Sequence, residues 1–158
     1  MRIVIRKAAL SEFMALWSGQ EFAGHQFYDY AKNEDAELWV AEDGGVVIGK
    51  LYLFKKLPDN DFANGKNRAY ITNFSIHFEY RGRGIGTKMM EQVFTSLSEA
   101  GFAEITIGVD EGELRNVSLY KKMGFSEKIR LCYADPICTD DNGVPFEMSE
   151  FLLLMRTL

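Results

Sequence analysis

Apolar residues recur along the chain with two different periods, and the places where the period changes mark out the elements. Residues 2–6 alternate charged and apolar side chains, as a strand with one wet face does. Ser11 stands where it would cap a helix carrying Phe13, Leu16 and Trp17, and a second helix falls between Gly24 and Lys32. Residues 38–42 and 46–54 are apolar runs on either side of Asp43, Gly44 and Gly45, which predicts a hairpin. After a polar, turn-rich stretch at 57–67, residues 70–77 carry apolar side chains on both faces, the mark of a strand in mid-sheet. From Ile85 the period lengthens: Ile85, Met89, Met90, Val93, Phe94 and Leu97 form the stripe of an amphipathic helix that ends before Gly101. A strand over 102–109, a short helix over 115–123 closed by Gly124, and strands over 125–133 and 147–156 complete the chain. The last two strands are joined by a loop around Pro136, Asp140, Asp141, Asn142 and Gly143. The order is βααβββαβαββ, an α/β (α+β) arrangement of one mixed sheet with helices packed on it.

Length and composition narrow the class. The 158 residues, 47% hydrophobic and 26% charged, suit one soluble domain over 1–158 with a core of its own, and no linker or repeat divides it. The net charge of −5 and the lack of basic residues interleaved with aromatics argue against nucleic acid as a partner, so any phosphate must be held locally. The longest apolar run, 151–155, is far shorter than the roughly 20 residues that cross a bilayer, and the charged Arg2, Arg6 and Lys7 leave no signal-peptide core. A cytoplasmic protein with no membrane partner is the expectation. Cys132 and Cys138 are then expected as reduced, buried thiols; with His25 and His77 they make no zinc spacing, and no metal is expected.

Chemistry concentrates where a predicted strand meets the helix that starts at Ile85. The run Arg81, Gly82, Arg83, Gly84, Ile85, Gly86 builds an anion site: free N–H groups and the positive end of the helix dipole attract phosphate, and glycine lets the backbone approach it. Arg81, Arg83 and Lys88 add local positive charge. A dinucleotide fingerprint fails, because the sixth position counted from Gly82 is Thr87, and from Gly84 it is Met89; Gly86-Thr87-Lys88 has the wrong order for a Walker A loop.

These residues resemble the GNAT family of acetyl-CoA-dependent N-acetyltransferases. The family's Arg/Gln-x-x-Gly-x-Gly/Ala motif is met by Arg81, Gly84 and Gly86, and its Asn followed four residues later by Tyr, before Gly-Phe, by Asn116, Tyr120, Gly124 and Phe125. The first strand, the hairpin ending at Ile48 and Gly49, and the closing strand over 152–158 are also similar, so the resemblance spans nearly the whole chain. It implies a mostly antiparallel central sheet. It also implies acetyl-CoA as cosubstrate, its pyrophosphate on backbone N–H groups of Arg81, Gly82, Arg83, Gly84, Ile85, Gly86 and Thr87, and its pantetheine arm added like a strand beside Phe74, Ser75 and Ile76. Asn116 would face the CoA arm or brace the site, or else cap the short helix. Tyr120 is implied as the general acid that protonates the leaving thiolate, with a backbone N–H near 74–76 for the oxyanion.

The base is left open between His77, Glu79, relayed water and no dedicated base at all. Acceptors are expected over segments 18–37, 57–67 and 135–145, whose acids (Glu21, Asp29, Glu34, Asp35, Asp59, Asp61, Asp140, Asp141) favour a cationic amine such as a polyamine, an aminoglycoside-like amine, or a protein N-terminus or lysine. His25 is placed either on the surface or in that pocket, and Trp17, Phe22, Phe27, Tyr28 and Tyr30 either in its wall or in plain core. A homodimer through an exposed edge strand near Leu152 is expected by analogy. Two rivals remain: a non-catalytic acyl-CoA-binding sensor of the same fold, and a nucleotide-dependent enzyme.

Overall fold

Strand alternation dictates a sheet that must be covered on both sides. In β2 (Ala36–Asp43) and β3 (Val46–Phe54), Leu38, Val40, Tyr52 and Phe54 join one buried cluster, while Trp39, Ala41, Leu51 and Leu53 join another. The computed structural model describes residues 1–17 and 21–158, apart from the side chains of Glu21 and Phe22. One face of its sheet is covered by α3 (Ile85–Glu99), whose stripe Ile85, Met89, Met90, Val93, Phe94 and Leu97 is entirely buried, and by α4 (Leu114–Lys122). The other face takes α1 (Phe13–Leu16) and α2 (Glu21–Lys32) through Phe13 and Phe27. Leu57, Phe62 and Ala63 finish that cover, and the buried Thr106 hydroxyl donates to the Phe62 carbonyl at 2.8 Å. The polar stretch at 57–67 is therefore a plug over the core.

The remaining strands are β1 (Ile3–Lys7), β4 (Arg68–Ile76), β5 (Glu104–Val109), β6 (Glu127–Thr139) and β7 (Pro145–Thr157), in the order β1-β2-β3-β4-β5-β7-β6. Only β4 and β5 run parallel; every other neighbouring pair is antiparallel. This is the predicted βααβββαβαββ sheet. The β2–β3 turn uses Gly44 and Gly45 at φ 57° and 86°, the pair of positive values that a two-residue hairpin turn demands.

Two local expectations change. Ser11 lies inside a 3-10 turn over Leu10–Glu12, and the capping bond comes from Glu12, whose carboxylate accepts the Ala9 N–H at 2.8 Å while Arg6 holds it. Trp17 ends α1 in an extended conformation. Pro136 belongs to β6, because β6 and β7 extend to thirteen residues each and leave only residues 140–144 as the connection. Leu152 is not on an edge: β7 lies between β5 and β6, and its apolar run is what a strand covered on both faces requires. The open edges are β1 and β6, so a dimer formed through the sheet edge would use one of those.

What matters for function is the middle of the sheet. The β4–β5 ladder runs from Arg68↔Glu104 to Ile71↔Ile107 and stops, while β5 stays paired with β7 as far as Val109↔Leu152. At the same point β4 bulges: Tyr52 faces Thr72 and Lys50 faces Ser75, so Leu51 opposes both Asn73 and Phe74. Asn73 takes φ 48°, a left-handed conformation that its short polar side chain tolerates better than most. The two strands therefore part, leaving an opening between them past Ile71↔Ile107.

Candidate active site

The chain leaves β4 through His77, whose N–H donates to the Ile48 carbonyl at 2.7 Å, and passes a 3-10 turn over Phe78–Tyr80 into the glycine loop. Arg81 Nε donates to the Ile76 carbonyl at 2.9 Å, and Tyr80 donates its hydroxyl to Asp43 at 2.6 Å, tying the loop to the β2–β3 hairpin. That bond also holds the Asp43 carboxyl below the ordinary range. Gly84, in the left-handed region at φ 78°, is the N-cap of α3 and offers no side chain to the first-turn N–H groups. Arg81, Arg83 and Lys88 beside them are exposed. Gly86 lies in the first turn, where an added Cβ would stand 2.9 Å from Cζ of Phe74, so the loop and the bulged strand are in contact.

On the opposite face, at the same opening, is a cavity of about 440 Å³. Thr72 and Asn73 of β4, and Gly108, Val109 and Asp110 at the end of β5, form its inner side. Aromatic rings wall it: Trp17 meets Tyr52 edge-on at 5.5 Å, and Phe27 meets Tyr52 at 4.9 Å and Phe54 at 5.4 Å. Asp135 and Glu150 contribute from β6 and β7. A second recess shares Trp17, Tyr52 and Asn73 with this cavity and continues along Lys50, Phe74 and Ser75. The Lys50 ammonium donates to the Leu16 carbonyl and so fixes the end of α1 at the rim.

Burial shifts the Tyr52, Tyr70 and Cys138 side chains that line this cavity. Cys138 is half-buried, and desolvation, then Asp135, push its thiol up to about 11, so it is no thiolate nucleophile at neutral pH. Burial pushes Tyr70 up to about 12. A folded-state value above the unfolded one leaves full stability below pH 10, which is then lost as pH rises toward 12, at about 1.4 kcal/mol per pH unit. Tyr70→Phe is expected to remove that part of the alkaline loss; urea midpoints of both proteins between pH 9 and 12 that stay parallel would contradict this.

Tyr120 sits on α4 against the core on the α3 side, with its ring 6.2 Å from Phe125. Burial, then the charge of Glu113, raise its phenol above the ordinary value of 10. Asn116 does not cap α4: Glu113 is the N-cap, and Asn116 lies in the first turn with its amide donating to the Glu113 carboxylate at 2.5 Å. His77 and Glu79 are exposed beyond the far end of β4 and do not line the cavity, and the His77 ring packs edge-on against Tyr80 at 6.4 Å. Phe74, Ser75 and Ile76 occupy the parted half of β4. Of the expected acceptor wall, Trp17 and Phe27 line the cavity, Tyr28 and Tyr30 do not, and the side chain of Phe22 lies outside the described residues. None of the eight acids singled out in the sequence lines it, although that of Glu21 is likewise undescribed; Asp59 and Asp61 are committed to Arg130.

The family model described as the acetyltransferase (GNAT) family matches residues 4–125, about three quarters of the sequence. The chain belongs to the GNAT family. Among curated relatives, a probable N-acetyltransferase family 8 member 5 of Mus musculus is 28% identical over 93 residues, 59% of this chain and 40% of that protein. The chain thus spans about two fifths of the length of that mouse GNAT relative. An N-alpha-acetyltransferase of Sulfurisphaera tokodaii is 29% identical over 118 residues, 69% of each. A solved GNAT acetyltransferase of Elizabethkingia anophelis, with acetyl-CoA bound, superposes with a TM-score of 0.67 at 19% identity, over 99% of this chain and 98% of that one, which shows the shared GNAT fold.

Sequence reasoning reached the glycine loop of this GNAT chain and missed Asp110, Glu150 and Tyr52. These come together only through the pairing of β5 with β7 and the packing of β3 on α2, and no local pattern announces them. Among the described residues no group of three or more His, Cys, Asp or Glu side chains is placed to hold a metal, and no helix is long and apolar enough to cross a membrane.

Proposed function

We propose that the protein transfers an acetyl group from acetyl-CoA to a primary amine, by direct attack within a ternary complex. The observation that carries this reading is the opening where β4 leaves β5, with the anion loop on one face of the sheet and the aromatic cavity on the other. Pyrophosphate would lie on the N–H groups at the start of α3, and the pantetheine arm would pair with β4 along Phe74, Ser75 and Ile76, where the ladder to β5 has ended. The thioester would then arrive at the bulge, beside the cavity from which the acceptor comes.

The chemistry balances without a covalent intermediate. The acceptor ammonium first loses one proton to water at the cavity mouth, a route favoured because His77 and Glu79 stand away from it. The free amine attacks the thioester carbonyl, a C–N bond forms, and a backbone N–H of the parted strand near 74–76 holds the oxyanion. The C–S bond breaks, Tyr120 gives its proton to the leaving thiolate, and the second amine proton goes to solvent, from which the phenolate is reprotonated. The high thiol value of Cys138 supports direct transfer over a covalent acyl-enzyme. Three acidic residues among the described lining of the cavity, Asp110, Asp135 and Glu150, support a cationic acceptor.

The test is thermal stability with acetyl-CoA, CoA, NAD and ATP, followed by thiol release with amines. Acetyl-CoA at about 100 times its Kd is expected to add about 2.7 kcal/mol, with NAD and ATP adding none. Stabilisation by NAD or ATP alone would replace this reading by a nucleotide-dependent one. Tight CoA binding with no thiol release across a broad amine panel would make the chain a sensor.

A further inference from the structure

We infer that the acceptor is a small monoamine whose single ammonium is attached to an aromatic or similarly bulky apolar body, and that Glu150 meets that ammonium. This rests on the acetyltransferase reading and goes past it, because the walls of the cavity discriminate among cationic amines that its charge alone would admit.

Among the described residues six aromatic ones line the cavity, Trp17, Phe27, Tyr52, Phe54, Tyr70 and Phe151, and Trp17, Phe27, Tyr52 and Phe54 are locked to one another edge-on or stacked. Such walls match a planar apolar body, with ring-to-ring contacts a polar chain cannot make. The volume of about 440 Å³ lies toward the lower end of the roughly 300–1,000 Å³ typical of ligand pockets, so the body is of the size of one or two rings. A polyamine threaded into these walls would leave a second ammonium against aromatic faces or a carboxylate already bonded to its own loop, and an aminoglycoside would bury hydroxyls with few partners; either arrangement repays less of its desolvation than an apolar body does.

Charge then fixes the orientation. Asp110, Asp135 and Glu150 line the cavity, and no Lys or Arg does so among the described residues. Oδ1 of Asp110 accepts the Gly112 N–H at 2.8 Å, and Oδ1 of Asp135 accepts the N–H groups of Ile137 and Cys138 at 2.8 and 3.1 Å, so each of these carboxylates has one oxygen held by its own loop. The Glu150 carboxylate forms no hydrogen bond or ion pair among the described residues. It follows on β7 just past the Val109↔Leu152 pair, at the end of β5 where β4 has parted from it. An exposed carboxylate with both oxygens uncommitted, on the cavity rim past the end of β5, draws the ammonium to the rim and leaves the apolar body among the rings.

The experiment measures acetyl-CoA-dependent thiol release with 2-phenylethylamine, n-butylamine, spermidine and kanamycin, with acetyl-CoA stabilisation recorded on the same preparations. The expected result is a kcat/KM for 2-phenylethylamine at least 10-fold above each of the others. In E150Q the KM for 2-phenylethylamine should rise about 5- to 30-fold. Inhibition by the neutral 2-phenylethanol and stabilisation by acetyl-CoA should both stay unchanged, which a merely structural role for Glu150 would not preserve. Normal acetyl-CoA binding with spermidine, kanamycin or n-butylamine preferred would overturn this inference and leave the acetyltransferase reading standing, as would an E150Q KM equal to that of the unsubstituted protein. Absence of acetyl-CoA binding would overturn both.

Discussion

Replacing Tyr120 by Phe is expected to lower kcat by about 100-fold or more while the Kd for acetyl-CoA stays within about twofold. The phenol sits on α4, on the same face of the sheet as the glycine loop, and its ring packs against Phe125 at 6.2 Å. Phe keeps that packing, so the fold should melt as before, and only the proton donor is lost. Burial first, and the Glu113 carboxylate second, raise the phenol above 10. The sign follows directly: a general acid works only when protonated, and a raised value keeps it protonated through neutral and mildly alkaline pH. The kcat profile of the unsubstituted protein should therefore show no descending limb from this group below pH 10, and Tyr120→Phe should be low at every pH. Steady-state kinetics beside an equilibrium CoA titration check both halves. An unchanged kcat would mean that the thiolate takes its proton from solvent.

What could be read in the sequence, and what could not, divides along the distance over which the determining interactions act. The buried stripe of α3, from Ile85 to Leu97, repeats within one helix, so its period alone was sufficient. Gly44-Gly45 and the loop from Arg81 to Gly86 are likewise local, because turn geometry and N–H exposure depend on a few consecutive residues. The bulge at Asn73 has no such signal: a non-glycine residue takes φ 48° there because β3 and β4 keep their pairing on either side of it while β4 leaves β5. The stretch at 57–67 misled for a related reason. Its composition is polar, yet Leu57, Phe62 and Ala63 are buried and Arg130 neutralises Asp59 and Asp61, contacts made with a strand far along the chain. The cavity is the extreme case, with Tyr52, Asp110, Asp135 and Glu150 coming from four different strands or their ends. Only the sheet order brings them to one opening.

Gly86→Val is expected to weaken acetyl-CoA at least 100-fold, and the cause should be a collision that can be relieved. A Cβ at residue 86 would stand 2.9 Å from Cζ of Phe74, closer than side-chain carbons normally approach, and valine adds two further methyl groups. Phe74 belongs to the bulge of β4, so either its ring turns aside along the strand that would receive the pantetheine arm, or the first turn of α3 backs away with its N–H groups. Either response disturbs the cofactor site. At a ligand concentration 100 times the original Kd, stabilisation should fall from about 2.7 to about 0.4 kcal/mol, since free ligand then only equals the new Kd. Changing Phe74 to Ala in the Gly86→Val background removes the obstructing ring. The double variant should regain at least 10-fold in affinity over Gly86→Val alone, the coupling expected of two groups in direct contact. Equal affinities in the single and double variants would show that the valine acts on the helix terminus itself, and that loop and strand are not joined through this contact.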